Sequence, residues 1–151
     1  MRNSLEQIRS NPRLYLGNVE PDGILLATRL AESALRCAAR LVELRILDAG
    51  WIAVSGESDW ITPSAQKTRK DVSLERVFID LMPQDGGIPN EVRFEPIVTA
   101  FALSLAVKLN GHWNSIAGAL PSNEVQNVLA NSKFAVAFQS LRPSLVGLAF
   151  P

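Results

Sequence analysis

The chain has 151 residues, 47% of them hydrophobic and 20% charged, and its 15 Lys+Arg balance 15 Asp+Glu. Such a composition describes one globular domain, residues 1–151. It argues against a protein that binds nucleic acid by itself through phosphate neutralisation, which needs a basic surplus. One cysteine, Cys37, excludes an internal disulfide, and with the lone His112 it offers no metal cage. No metal is therefore expected, and with no P-loop or Gly-x-Gly-x-x-Gly motif no cofactor is expected either. Arg2 is followed by polar residues rather than an apolar run, and no apolar stretch approaches the ~20 residues that span a bilayer. The expectation is a soluble, cytoplasmic protein without a membrane segment. The cluster Lys67, Arg69 and Lys70 reads as a solvated loop.

In chain order, residues 3–10 predict a short helix that Pro12 stops. From Gly23 to about Arg45 the pattern is helical. Ile24, Ala27, Ala31, Ala34, Leu35, Ala38, Leu41 and Val42 form an apolar stripe opposite Arg29, Glu32, Arg36, Arg40 and Glu43. Cys37 falls on the apolar side, where it acts as a small hydrophobe. Residues 48–50 read as a turn, 51–55 as a strand and 56–71 as loop. Ser73 suits the N-cap of a second helix carrying Leu74, Val77, Phe78, Leu81 and Met82. Residues 83–90 break it. Pro96 suits the first turn of a third helix over 96–109, apolar all round and so buried. The remainder predicts strands at 113–120, 133–139 and 144–150, with a short helix or turn at 122–131. Phe134, Val136 and Phe138 alternate with Ala135 and Ala137, as in a sheet packed on a layer. Helices early and strands late argue for an α+β two-layer sandwich.

The stretch "IRSNPRLYLG" (8–17) resembles the lead-in motif of the ATPase domain of type II topoisomerases, the gyrase B subunit and its relatives. That motif runs hydrophobe-Arg-x-Arg-Pro-Gly-Met-Tyr-Ile-Gly. Ile8, Arg9, Pro12, Tyr15 and Gly17 match it, with Leu14 and Leu16 as conservative replacements. Further pieces follow in the family's order. A Gly-led helix comes first, and "WIAVSGESDWITP" (51–63) stands where the family's strand runs into Asp-Asp-Gly-Arg-Gly-Ile-Pro. "VSLERVFIDLM" (72–82) takes the place of the next helix, and "QDGGIP" (84–89) that of the Ala-Gly-Gly loop. "AVKLNG" (106–111) is similar to the Lys-Leu pair before the late strands, and "SLVGLAFP" (144–151) to the last strand.

The resemblance implies the GHKL, or Bergerat, fold: a mixed, mostly antiparallel sheet with helices on one face, here without a transducer domain. Tyr15 is then a structural anchor in a segment lying against the sheet edge. It also implies that the ATPase chemistry is lost. The metal-binding asparagine falls on Ser33 or Ala34 and the water-activating glutamate on Arg29 or Leu30, so neither the base nor the amide is present. Glu32 reads as a helix-surface partner of Arg36. The adenine-reading aspartate falls on Gly56 and the pocket glycine on Trp60, whose indole would fill or wall off the cavity. A shifted register would bring Glu57 or Asp59 to the adenine instead. The glycine-rich phosphate lid falls on "FEPIVTAF" (94–101). It has no glycine, places Pro96 in the lid, and carries Glu95, which would repel phosphate. Gly86 and Gly87 are explained by a turn.

Three functions follow as expectations. One is a degenerate, non-hydrolysing domain working through an unknown protein partner or as a homodimer through a sheet edge or the tail. Another is an altered pocket for a nucleotide or small ligand. The third is an active ATPase or topoisomerase accessory, against which the missing transducer and catalytic residues weigh. A buried Trp60 with a partner for its N–H belongs to the plugged pocket, and an exposed Trp60 to a partner surface.

Overall fold

The computed structural model describes residues 3–37, 39–82 and 92–141. Helix α1 (Ser4–Ser10) is capped by Asn3, whose side chain accepts from the Glu6 N–H. Pro12 lies just past this helix and also opens the next one, α2 (Pro12–Leu16), because its missing N–H costs nothing in a first turn. The two short helices pack on α6 (Glu95–Ala100) through α1, with Ile8 and Leu16 buried and Tyr15 half-buried against the same core.

Helix α3 (Gly23–Arg36) starts where Asp22 accepts from the Leu25 N–H at 2.8 Å. It packs on strands β1 (Val42–Ile46) and β2 (Trp51–Gly56). The expected helix over 23–45 is therefore two elements. Val42, Leu44 and Ile46 alternate along β1, whose full-length antiparallel register with β2 runs from Val42↔Gly56 to Ile46↔Ile52. A tight turn at 48–50 with positive φ at Ala49 and Gly50 closes the hairpin. Pairing with β2 thus overrides the helical pattern of the segment.

The buried face of α3 is also rotated from the expected stripe. Gly23, Leu26, Ala27, Leu30, Ser33 and Ala34 face the sheet. Ile24 and Ala31 are half-buried beside them, whereas Leu35 is 56% exposed and does not belong to the core. Leucines at 25, 26, 30 and 35 and interspersed alanines leave two adjacent apolar stripes, and contact with the sheet selects between them. Ala38 lies outside the described residues.

After β2 come α4 (Ile61–Gln66), within the expected loop, and α5 (Leu74–Ile79), capped by Ser73 as expected. The expected helix over 96–109 divides into α6 and strand β3 (Ala102–Leu109). Five consecutive buried residues, Ser104–Lys108, mark an interior strand, whose apolar run has no alternation to distinguish it from a buried helix. Asn110-Gly111, both with positive φ, joins β3 to β4 (His112–Ala117) in a two-residue turn. Helix α7 (Asn123–Val128) and strand β5 (Phe134–Ser140) complete the described fold. The expected strand 144–150 and loop 83–90 lie outside the described residues.

The architecture is an α+β sandwich on a five-stranded sheet of order β1-β2-β5-β3-β4, every pair antiparallel. Ile52, Val54, Leu105, Val107, Phe134, Val136 and Phe138 face the main helical layer. Trp51, Ala53, Ala135 and Ala137 face the other way, against Val125 of α7 and the following Leu129. So the alternation in β5 separates two packed faces, and one short helix covers the second.

Truncating Leu30, which is fully buried, to Ala should lower unfolding free energy by about 2–5 kcal/mol. Leu35→Ala should stay within about 0.5 kcal/mol of wild type. Denaturant unfolding of the two variants checks this rotation of α3; a larger loss at Leu35 would place it in the core after all.

Candidate functional site

Strand β2 ends at Gly56, and the chain turns immediately into α4. Asp59 makes this turn: one oxygen of its carboxylate, Oδ1, accepts from the Ile61 N–H at 2.8 Å and the Thr62 N–H at 3.0 Å. The cap folds Trp60 back over the strand end. Its indole is 4% exposed and meets Phe134 edge-on, with ring centroids 4.7 Å apart and planes at 79°. A Cβ at Gly56 would come within 3.0 Å of Trp60 Cζ3, so the ring rests directly on the glycine. Gly56 pairs with Phe134 in the β2–β5 register, which puts the three residues in one stack. The Trp60 Nε1, Ser33 Oγ and Thr62 Oγ1 are buried without a hydrogen-bond partner among the described residues. The expectation of a partner for the indole N–H is therefore not met there.

The segment aligned with the phosphate lid is a buried helix. All six residues of α6, Glu95 and Pro96 included, are inaccessible. Glu95 is 0% and Arg93 1% exposed, and the two form a bidentate pair: Nε to Oε1 at 2.8 Å and Nη2 to Oε2 at 3.2 Å. Arg93 Nη1 also donates to Ser64 Oγ at 2.8 Å, and the Cys37 thiol donates to the same oxygen at 3.2 Å. The charge of Glu95 is thus neutralised inside the fold rather than presented to an anion. The expected alignment singled out Glu95 but missed Arg93. The available signal was a charged i, i+2 pair set among Val92, Phe94 and Ile97, a context in which lone charges are rarely buried.

The remaining aligned positions do not assemble around an open site. Ser33 and Ala34 are buried on the sheet side of α3, as is Leu30, while Arg29, Glu32 and Arg36 are exposed. Glu57 is exposed and, with Gly56, Arg45 and Lys133, borders a groove of about 390 Å³. Tyr15 Oη accepts from Gln7 Nε2 at 3.1 Å, and Arg9 Nε donates to the Ala100 carbonyl at 2.7 Å. The lead-in segment is therefore fastened to the helical layer through α6. His112 is exposed on β4. Gly86 and Gly87 lie outside the described residues. Among the described residues no group of three His, Cys, Asp or Glu could hold a metal ion, and no helix is long and apolar enough to cross a membrane.

A second buried cation, Lys108, was read only as half of a Lys-Leu pair. Its Nζ donates to the carbonyls of Leu129 and Ala130, both at 3.0 Å, where the chain leaves α7. A cation suits that position because unpaired carbonyls collect at helix C-termini.

Compared with protein-family models and with curated proteins, the chain matches none.

Removing one member of the buried pair leaves an uncompensated charge. Arg93→Met or Glu95→Leu alone should therefore cost about 3–5 kcal/mol, and the double variant Arg93→Met/Glu95→Leu should recover most of that loss. Urea unfolding of the three proteins checks the cycle. Additive losses would show that the two side chains act separately.

Proposed function

We propose that this chain is a degenerate, non-hydrolysing domain of the GHKL type, similar to the gyrase B ATPase domain, that works through protein contacts. The observation that carries this reading is the Trp60 indole seated on Gly56, the two positions aligned with the adenine contacts. Burial of Ser33 and Ala34, and of the α6 segment aligned with the lid, supports it from two further positions. The order of elements supports the family likeness: a Gly-led helix, a hairpin, two helices, α6 and then the later strands. A cytoplasmic setting suits the free thiol of Cys37.

A second reading is an altered ligand site. The groove beside Gly56 and Glu57 favours it, since Lys133 there could meet an anionic group while Glu57 meets a cationic one.

Thermal unfolding with ATP, ADP and Mg²⁺ tests both readings. The first expects no shift and no phosphate release. A ligand present at 100 times its Kd would add about 2.7 kcal/mol of stability, and that result would favour the second. Magnesium-dependent phosphate release abolished by substitutions at 29–34 would overturn the first. Trp60→Ala should cost about 3–5 kcal/mol as a buried plug. A negligible loss on denaturant unfolding would remove the plug from the argument.

A further inference from the structure

Among the described residues the sheet has two edges, and they differ in chemistry. Strand β4 offers His112, Asn114 and Ser115 to solvent, all polar, and its pairing with β3 is interrupted by a register shift at Leu105/Ala106. Strand β1, at the other edge, contains no proline and no lysine, and its register with β2 is unbroken. Proline, lysine and bulges usually blunt an exposed edge, and β1 has none of the three. On the face shared with the helical layer, Leu44 is 38% and Ile46 62% exposed, and Leu41 just before the strand is 56% exposed. Glu43 and Arg45 occupy the opposite face, joined at 2.8 Å within the chain.

The sequence of this edge is complementary to itself. In an antiparallel pair of two β1 strands centred on Leu44, residue 42 faces residue 46 and residue 43 faces residue 45. Val42 then meets Ile46 of the second copy, Leu44 meets Leu44, and each Glu43 meets an Arg45. The apolar contacts fall on one face and the charged contacts on the other. The two charged residues of each strand then form an alternating cluster of four. A shift of one residue would place unlike side chains on the wrong faces. A shift of two would bring Glu43 against Glu43 or Arg45 against Arg45, which directly opposed like charges disfavour.

We propose that β1 is a self-association edge, at which two copies of this chain join their five-stranded sheets into one continuous sheet across a two-fold axis at Leu44. The occupant is a second copy because VELRI (42–46) matches itself in both charge and apolar pattern. The interface is isologous and small, so its association depends on concentration. The pairing holds whether or not the Trp60 region binds a ligand.

Charge exchange tests it. In sedimentation velocity the wild-type chain should move from 16.5 kDa towards twice that mass as concentration rises. Glu43→Arg alone opposes arginines across the axis, and Arg45→Glu alone opposes glutamates. Each should weaken self-association at least about ten-fold. Mixing the two single variants restores opposite charges and should restore dimers to wild-type levels. The double exchange Glu43→Arg/Arg45→Glu should dimerise by itself. Circular dichroism confirms that each variant is folded before it is compared. A wild type that stays at 16.5 kDa at every concentration overturns the proposal. So do single variants that associate like wild type, or a mixture that fails to regain association.

Discussion

An arginine with 1% exposure must have its charge answered inside the protein, and the helical layer of this fold is arranged around one such group. Arg93 pairs with Glu95 at the start of α6 and reaches Ser64 on α4, and Ser64 takes a second contact from Cys37 at the end of α3. Three helices that share no strong sequence signal are thereby held in one relation. The arrangement has little tolerance, because a guanidinium presents its donors in a fixed fork. Thr99 adds a bond to the Glu95 carbonyl, so the first turn of α6 is fastened at both side chain and backbone.

On the sheet side of this layer, the Trp60 stack closes the end of β2. Gly56 is small because the indole needs its surface, and Phe134 fills the angle between them. Gly56 is the floor for an aromatic ring. Burial of a tryptophan here contributes apolar contact at the expense of any cavity at that point. Asp59 beside this stack has one oxygen committed to the first turn of α4. Gly56, Trp60, Glu95 and Pro96 are thus all engaged in packing or pairing within the fold.

The opposite face uses different chemistry for the same purpose. It is shallow, built on alanines at 53, 135 and 137, and so admits α7 closely. Lys108 reaches through from β3 to the carbonyls that end α7. The protein therefore secures both faces of one sheet with a buried cation. Neither cation is free to serve an anionic ligand, since each already has its acceptors. Among the described residues, the edge of the sheet at β1 is left open, and there exposed apolar side chains and an intact register coincide.

Several features were legible before any coordinates. The caps at Ser73 and the alternation in β5 depend only on local chemistry, and both stand in the structure. The α+β class follows from the order of helical and alternating segments. Other features are tertiary decisions. Residues 42–46 have enough helix formers to read as helix, and only partnership with β2 makes them a strand. Residues 102–109 are apolar on every side, so periodicity is silent, and insertion between β4 and β5 settles their state. Leu35 is apolar enough for the core, but the sheet contacts the neighbouring stripe of α3. Trp60 was legible as an indole able to fill a cavity, yet its seat on Gly56 and Phe134 required the register of β2 against β5. Arg93 carried no reading from the sequence, and only the fold encloses it. The sequence by itself determined where local hydrogen bonding and periodicity leave one choice. The tertiary structure decided wherever two conformations were locally comparable, because there the difference lies in surface buried against distant residues.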